Sequence, residues 1–313
     1  MTPAAGVVTA DPAEPAAADP AAAEPAAAEP EGADRWELLR ALGALAATPP
    51  PASRPVSEAL GLPPSAPADH TRLFVQDLPP HASIHLGPEG KLGGEGADRV
   101  AGLWRALSLE PPPDADHLAS LLWLCAELGA AAGSCRTAVA QRRLEHARSV
   151  LLWEHLASWL PGYLAAAAPY PAAGGWSGLT LAALRRELAT TAAAAVLPAA
   201  LRDAPAPVDP HERAGDLLQA MTVPVRTGFV LTARDLARAG ADIGVGVRVG
   251  ERRFALQAMA DQDPRATLSW LAGHARRWAG VHAAQPIASL ASEWWAQRAA
   301  ATAATLERLA GDA

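Results

Sequence analysis

From Asp77 to Ala132 the chain alternates between stretches that cannot be helical and stretches patterned for nothing else, and this order limits what the rest can become. Asp77–Gly96 is crowded with proline and glycine, which fix turns. Val100, Leu103, Trp104 and Leu107 then fall at i, i+3, i+4 and i+7, one apolar helix face. Pro111, Pro112 and Pro113 break that helix. Asp114 or Asp116 can cap the next one, whose Leu118, Leu121, Leu122 and Cys125 repeat the spacing. The segment reads as loop, helix, rigid connector and capped helix, with Asp116-His117 at the joint.

The same reading extends along the chain. Alanine dominates and Phe, Tyr and Ile are few, which favours helices over strands. Residues 11–30 repeat Ala-Glu-Pro and Ala-Asp-Pro about every five positions, and this predicts a disordered acidic tail over residues 1–34. Asp34 is placed to cap a short helix over 35–47, and a Pro-rich linker follows to residue 70. The segment 71–313 is expected to form a single all-α globular domain, giving near ten helices in all. A long helical region over 136–168 is expected to kink or end at Pro161. Thr180, Asp209-Pro-His-Glu212, Thr232, Asp263-Pro264 and Pro286 read as helix starts, the second as a full capping box. Val245–Val249 alternates with Gly and Arg but is too short to build a sheet.

Charge narrows the function. Residues 1–34 hold seven of the 33 acids and neither Lys nor Arg, so the remainder carries 26 charges of each sign. A neutral body lacks the concentrated basic face that nucleic acid requires. The two cysteines, Cys125 and Cys135, form no ligand or disulfide pattern, and Cys125 lies on an apolar helix face. No secretory signal or membrane-spanning run is found, so a cytoplasmic location is expected.

No cofactor, metal or bond chemistry is expected. Nucleotide, hydrolase and zinc-protease motifs are absent. Glu145-His146 and Glu154-His155 are nine residues apart and out of phase on a helix, so they read as rim residues. His81 and His85 sit in a Pro/Gly loop with no third ligand nearby. The tryptophans fall mostly on helical stripes and read as core, although Ala-rich helices approach closely and leave grooves between large rings.

Leu78-Pro-Pro-x-x-Ser83-x-x-Leu86, a helix, then Asp116-His117-Leu118-x-x-x-Leu122 resembles the TorD/DmsD/NarJ-type family. Leu152-Trp-Glu-His-Leu156 with Trp159-Leu-Pro161 resembles that family's next block. The likeness is clear over about 72–165. Pro113 stands where family members often carry Glu, and His81 and His85 stand where aromatics are common. The resemblance implies an all-helical cytoplasmic chaperone. Its partner would be the precursor of a molybdenum-cofactor oxidoreductase, met at its twin-arginine signal peptide and held until cofactor insertion is complete. On that reading Asp116, with Asp114 as second choice, offers a carboxylate to a guest arginine beside His117. Leu86, Trp104 and Trp123, with Leu118 behind, form the apolar wall of a furrow between the two helices. The alternative is a helical scaffold protein without leader binding, its acidic tail being the contact element.

Overall fold

The computed structural model describes residues 32–248, 250–287 and 289–313. The expected tail lies, over residues 1–31, outside the described residues. Among the described residues every regular element is helical, and the one β-type pairing is an isolated bridge between His81 and His117. None of the described helices is long and apolar enough to cross a membrane.

Three helices precede the central stretch: α1 (Gly32–Ala47), α2 (Arg54–Ala59) and α3 (Pro67–Thr71). The last two occupy the expected linker, each with a proline in its first turn. A wide π-helical turn, Arg72–Asp77, leads to α4 (Ala82–Leu86), α5 (Gly94–Ala106) and α6 (Leu118–Gly133). Helix α6 buries Leu118, Leu121, Leu122, Leu124, Cys125, Ala126 and Leu128, apolar on nearly every side, which makes it a central element. Helix α1 lies along it through Leu39 and Leu42. A Cβ on Gly129 would collide with the Trp36 ring, so the ring can lie over this point of α6 only because residue 129 is glycine.

Next come α7 (Ala138–Val150), a second π-helical turn (Leu151–Leu156), α8 (Leu160–Ala167), α9 (Trp176–Ala189) and α10 (Ala199–Arg202). Pro161 therefore opens α8 within its first turn, where its missing amide has no partner to lose, instead of kinking a continuous helix. Thr180 lies inside α9, its hydroxyl donating to the Trp176 carbonyl. The rim reading of Glu154-His155 is also corrected: His155 is buried, and Glu154 accepts the Ala199 amide at 2.7 Å, capping α10.

The last third holds α11 (Ala214–Ala220), α12 (Pro224–Thr227), α13 (Ala233–Ile243), α14 (Arg252–Gln262), α15 (Pro264–Ala283) and α16 (Leu290–Asp312). The caps at Thr232 and Asp263 form as expected. The box at Asp209–Glu212 closes a turn instead, because Glu212 is shared between the Asp209 amide and an ion pair with Arg226, and the helix begins after Arg213. The final helix starts at Ser289, whose hydroxyl accepts the Ser292 amide, and not at Pro286. Helices α15 and α16 share the most extensive interface of the fold.

Candidate functional site

The two halves of the Leu-Pro-Pro…Asp-His pattern are bonded to each other. The Leu118 amide donates to the Pro80 carbonyl at 2.8 Å, and the Ala82 amide donates to the Asp116 carbonyl at 3.0 Å. This short antiparallel bridge brings the start of α4 against the start of α6. The Asp116 carboxylate then accepts the Ser83 amide at 2.9 Å and faces His81 Nδ1 at 3.3 Å. Asp116 thus caps α4, a helix 33 positions earlier in the chain, and not the helix it precedes.

The cap of α6 is His117. Its Nδ1 accepts the Ala119 amide at 3.0 Å, so the ring proton sits on Nε2. The His81 ring stands edge-on to the His117 ring at 4.8 Å. Ser83 is fully buried at the centre of this clasp, and its hydroxyl accepts the Gly93 amide at 3.2 Å. A Cβ on Gly96 would lie 2.8 Å from the Ser83 Cα, so the first turn of α5 can pack this closely on Ser83 only without a side chain there. The Leu78 carbonyl accepts the Tyr163 hydroxyl at 3.1 Å, tying the clasp to the second sequence block.

Electrostatics follow from this geometry. Burial alone would raise the Asp116 pKa, but the bonds from His81 and Ser83 outweigh it and hold the carboxyl at about 2. Burial, with His81 adding to it, lowers His117 to about 4. His85, stacked on Trp159 at 5.1 Å, is lowered by burial to about 3. Its partners are aromatic rings, and no cluster of metal-binding side chains exists among the described residues.

The furrow expected between α5 and α6 is closed. Leu86, Trp104 and Leu118 are core residues, and Trp104 is only 4% exposed. The physical reason is the bridge: it draws the α6 start onto α4 and leaves no space for a guest beside Asp116. Two of the seven candidate residues face outward. Asp114 is exposed in the turn before α6. Trp123 is 46% exposed and stacks in parallel on Trp104, with centroids 6.3 Å apart. Six residues of helix separate Trp123 from the cap, about 9 Å along the axis.

A second opening was not anticipated from the sequence. A groove of about 720 Å³ lies between the segments 76–77 and 89–91 on one side and the α13–α14 region on the other. Leu236, Ala237, Val247 and Ala255 give it an apolar floor, and Lys91, Arg248 and Arg253 stand exposed around it. Asp77 and Arg252 also border it but are engaged within the fold. Asp77 accepts the Tyr170 hydroxyl at 3.1 Å, and Arg252 donates to the Leu231 carbonyl at 2.8 Å. The available signal was the run of cations at Arg248, Arg252 and Arg253. No sequence period joined it to Lys91, some 160 residues earlier.

Residues 63–165 match the family model of the nitrate reductase delta subunit. The match begins before α3 and spans the clasp, α7 and the Leu152–Pro161 block. That family consists of molybdoenzyme maturation chaperones, and the resemblance to TorD/NarJ-type proteins is borne out over this span. No curated protein and no solved structure matches the chain.

Proposed function

We propose that this chain, TorD/NarJ-type over residues 63–165, is a cytoplasmic chaperone for the precursor of a molybdenum-cofactor oxidoreductase. It binds the precursor's twin-arginine leader, holds the enzyme while the cofactor is inserted, and carries out no bond chemistry. The chaperone unit is residues 71–313, with α1 docked on it. The observation that carries this reading is that the family-matched span coincides with the hydrogen-bonded clasp. Asp116, His117, Leu86 and Leu118 hold the clasp together and so position the recognition surface without touching the guest. Asp114 offers the accessible carboxylate for an arginine. Trp123, backed by Trp104, offers the ring on which the leader's apolar run packs.

Magnitudes divide the labour between these groups. An exposed Arg–carboxylate pair contributes about 0–1 kcal/mol. Micromolar binding requires about −8 kcal/mol, so apolar contact supplies most of the affinity and the arginines mainly select the partner. Calorimetry with a synthetic twin-arginine leader tests this. The expected result is micromolar affinity, weakened about threefold by Asp114→Asn and tenfold or more, roughly, by Trp123→Ala. Trp104→Ala is the poorer probe, because removing a buried ring costs about 3–5 kcal/mol of stability and confounds a binding loss. Failure of the unaltered protein to bind any such leader would refute the proposal and favour the scaffold alternative.

A further inference from the structure

We propose that the groove between the segments 76–77 and 89–91 and the α13–α14 region is the docking site for this chain's own acidic segment, residues 1–31, held by Lys91, Arg248 and Arg253. The groove is open, its floor is apolar, and its three exposed cations form no ion pair among the described residues. Arg248 and Arg253 flank the exposed Phe254 ring, their guanidinium carbons 5.8 and 5.0 Å from its centroid. Of the groove's acids, Asp77 is engaged with the Tyr170 hydroxyl, which leaves Glu89 and Glu251 against the three exposed cations.

The excess positive charge at the rim disfavours a guest that leads with two arginines and favours an anionic one. The chain carries such a guest. Residues 1–31 contain Asp11, Glu14, Asp19, Glu24, Glu29 and Glu31 and no lysine or arginine. Between the acids lie alanines and prolines, small uncharged side chains suited to an apolar floor. From α1, 31 residues reach at most about 100 Å, enough to span a domain of this size. Being on the same chain, the segment meets the groove at a millimolar-range effective concentration, so weak contacts between exposed charges suffice. A client that uses this groove must displace the segment first.

The test exploits an accident of composition: Lys91 is the only lysine in the sequence. A carbodiimide joins an amine to a carboxylate in direct contact, forming an amide with loss of water and leaving no spacer. Applied to the full chain and mapped by mass spectrometry, it is expected to link Lys91 to one of the six carboxylates of residues 1–31 within one molecule. The yield should not change over a tenfold range of protein concentration. It should fall about fivefold near 0.5 M salt, where charges are screened beyond about 4 Å. R248E/R253E should lower it similarly, and both positions are exposed, so the fold persists. Lys91 linked only to Glu89, Glu251 or another carboxylate outside residues 1–31 would overturn the proposal. So would an adduct found only between two chains, or one indifferent to both salt and R248E/R253E.

Discussion

Both carboxylate oxygens of Asp116 are engaged inside the fold, one facing His81 and the other taking the Ser83 amide at the start of α4. A buried hydrogen bond to a charged group contributes about 1.5–3 kcal/mol, and removing the acceptor also orphans a buried amide. Asp116→Ala is therefore expected to lower stability by about 3 kcal/mol in urea denaturation, whereas Asp114→Ala at its exposed turn should change it by less than about 0.5 kcal/mol. Equal effects would show that the clasp is not what holds α4. At this scale the sequence was half legible. Asp116-His117 marks a helix start by its residue types, and the cap is indeed there, on His117. That Asp116 serves a different helix was not readable, because a bond to a residue 33 positions earlier leaves no local period. The same holds for the groove, where Lys91 meets Arg248 and Arg253 only through the tertiary fold.

At the scale of elements, α1, α7 and α9 are locked together by one buried acid. Glu187 on α9 accepts from Arg35 on α1 at 2.6 and 2.8 Å and from Arg148 on α7 at 2.6 Å. Its side chain is only 1% exposed, and the Trp36 ring packs beside both guanidinium groups. Breaking such a cluster by removing one partner typically costs about 3–5 kcal/mol, since the other charges stay buried without compensation. Glu187→Ala should lose about that much, and hydrogen exchange should show α1 opening first at its N-terminal end, because Arg35 is its charged tie there, while Arg40 remains paired with Glu127 on α6. A variant in which α1 stays protected would mean that Leu39, Leu42 and Trp36 hold it without the acid. Helix starts were legible where cap and proline act alone, as at Thr232 and Asp263. They were misread where a long-range partner competes, as at Glu212 with Arg226, or where proline opens a helix instead of breaking one, as at Pro161.

For the molecule as a whole, the buried histidines set the response to acid. Burial lowers His85 to about 3 and His117, His155 and His282 to about 4, each from an ordinary value of 6.5. All four are neutral in the fold and take up a proton when the chain unfolds below that ordinary value. The unfolded state then binds more protons, so stability rises with pH through this window. Their contribution is fully present above about pH 6.5 and is lost as the pH falls toward 4. Each group contributes a slope of about 1.4 kcal/mol per pH unit, so together they approach 5 kcal/mol per unit. A domain with the usual 5–15 kcal/mol of stability cannot withstand that slope for long. The expected outcome is a cooperative loss of structure between about pH 5.5 and 4, accompanied by uptake of at least about four protons, since burial also lowers His70 and His274. Asp116, held at about 2, resists until lower pH and cannot be the trigger, because its contribution is lost only below the ordinary carboxylate value of 3.8. Urea midpoints measured at several pH values between 7 and 5 check the slope. His155→Leu should lower it by about 1.4 kcal/mol per pH unit, while a midpoint that is flat down to pH 5 would mean that these rings gain protons without the core opening.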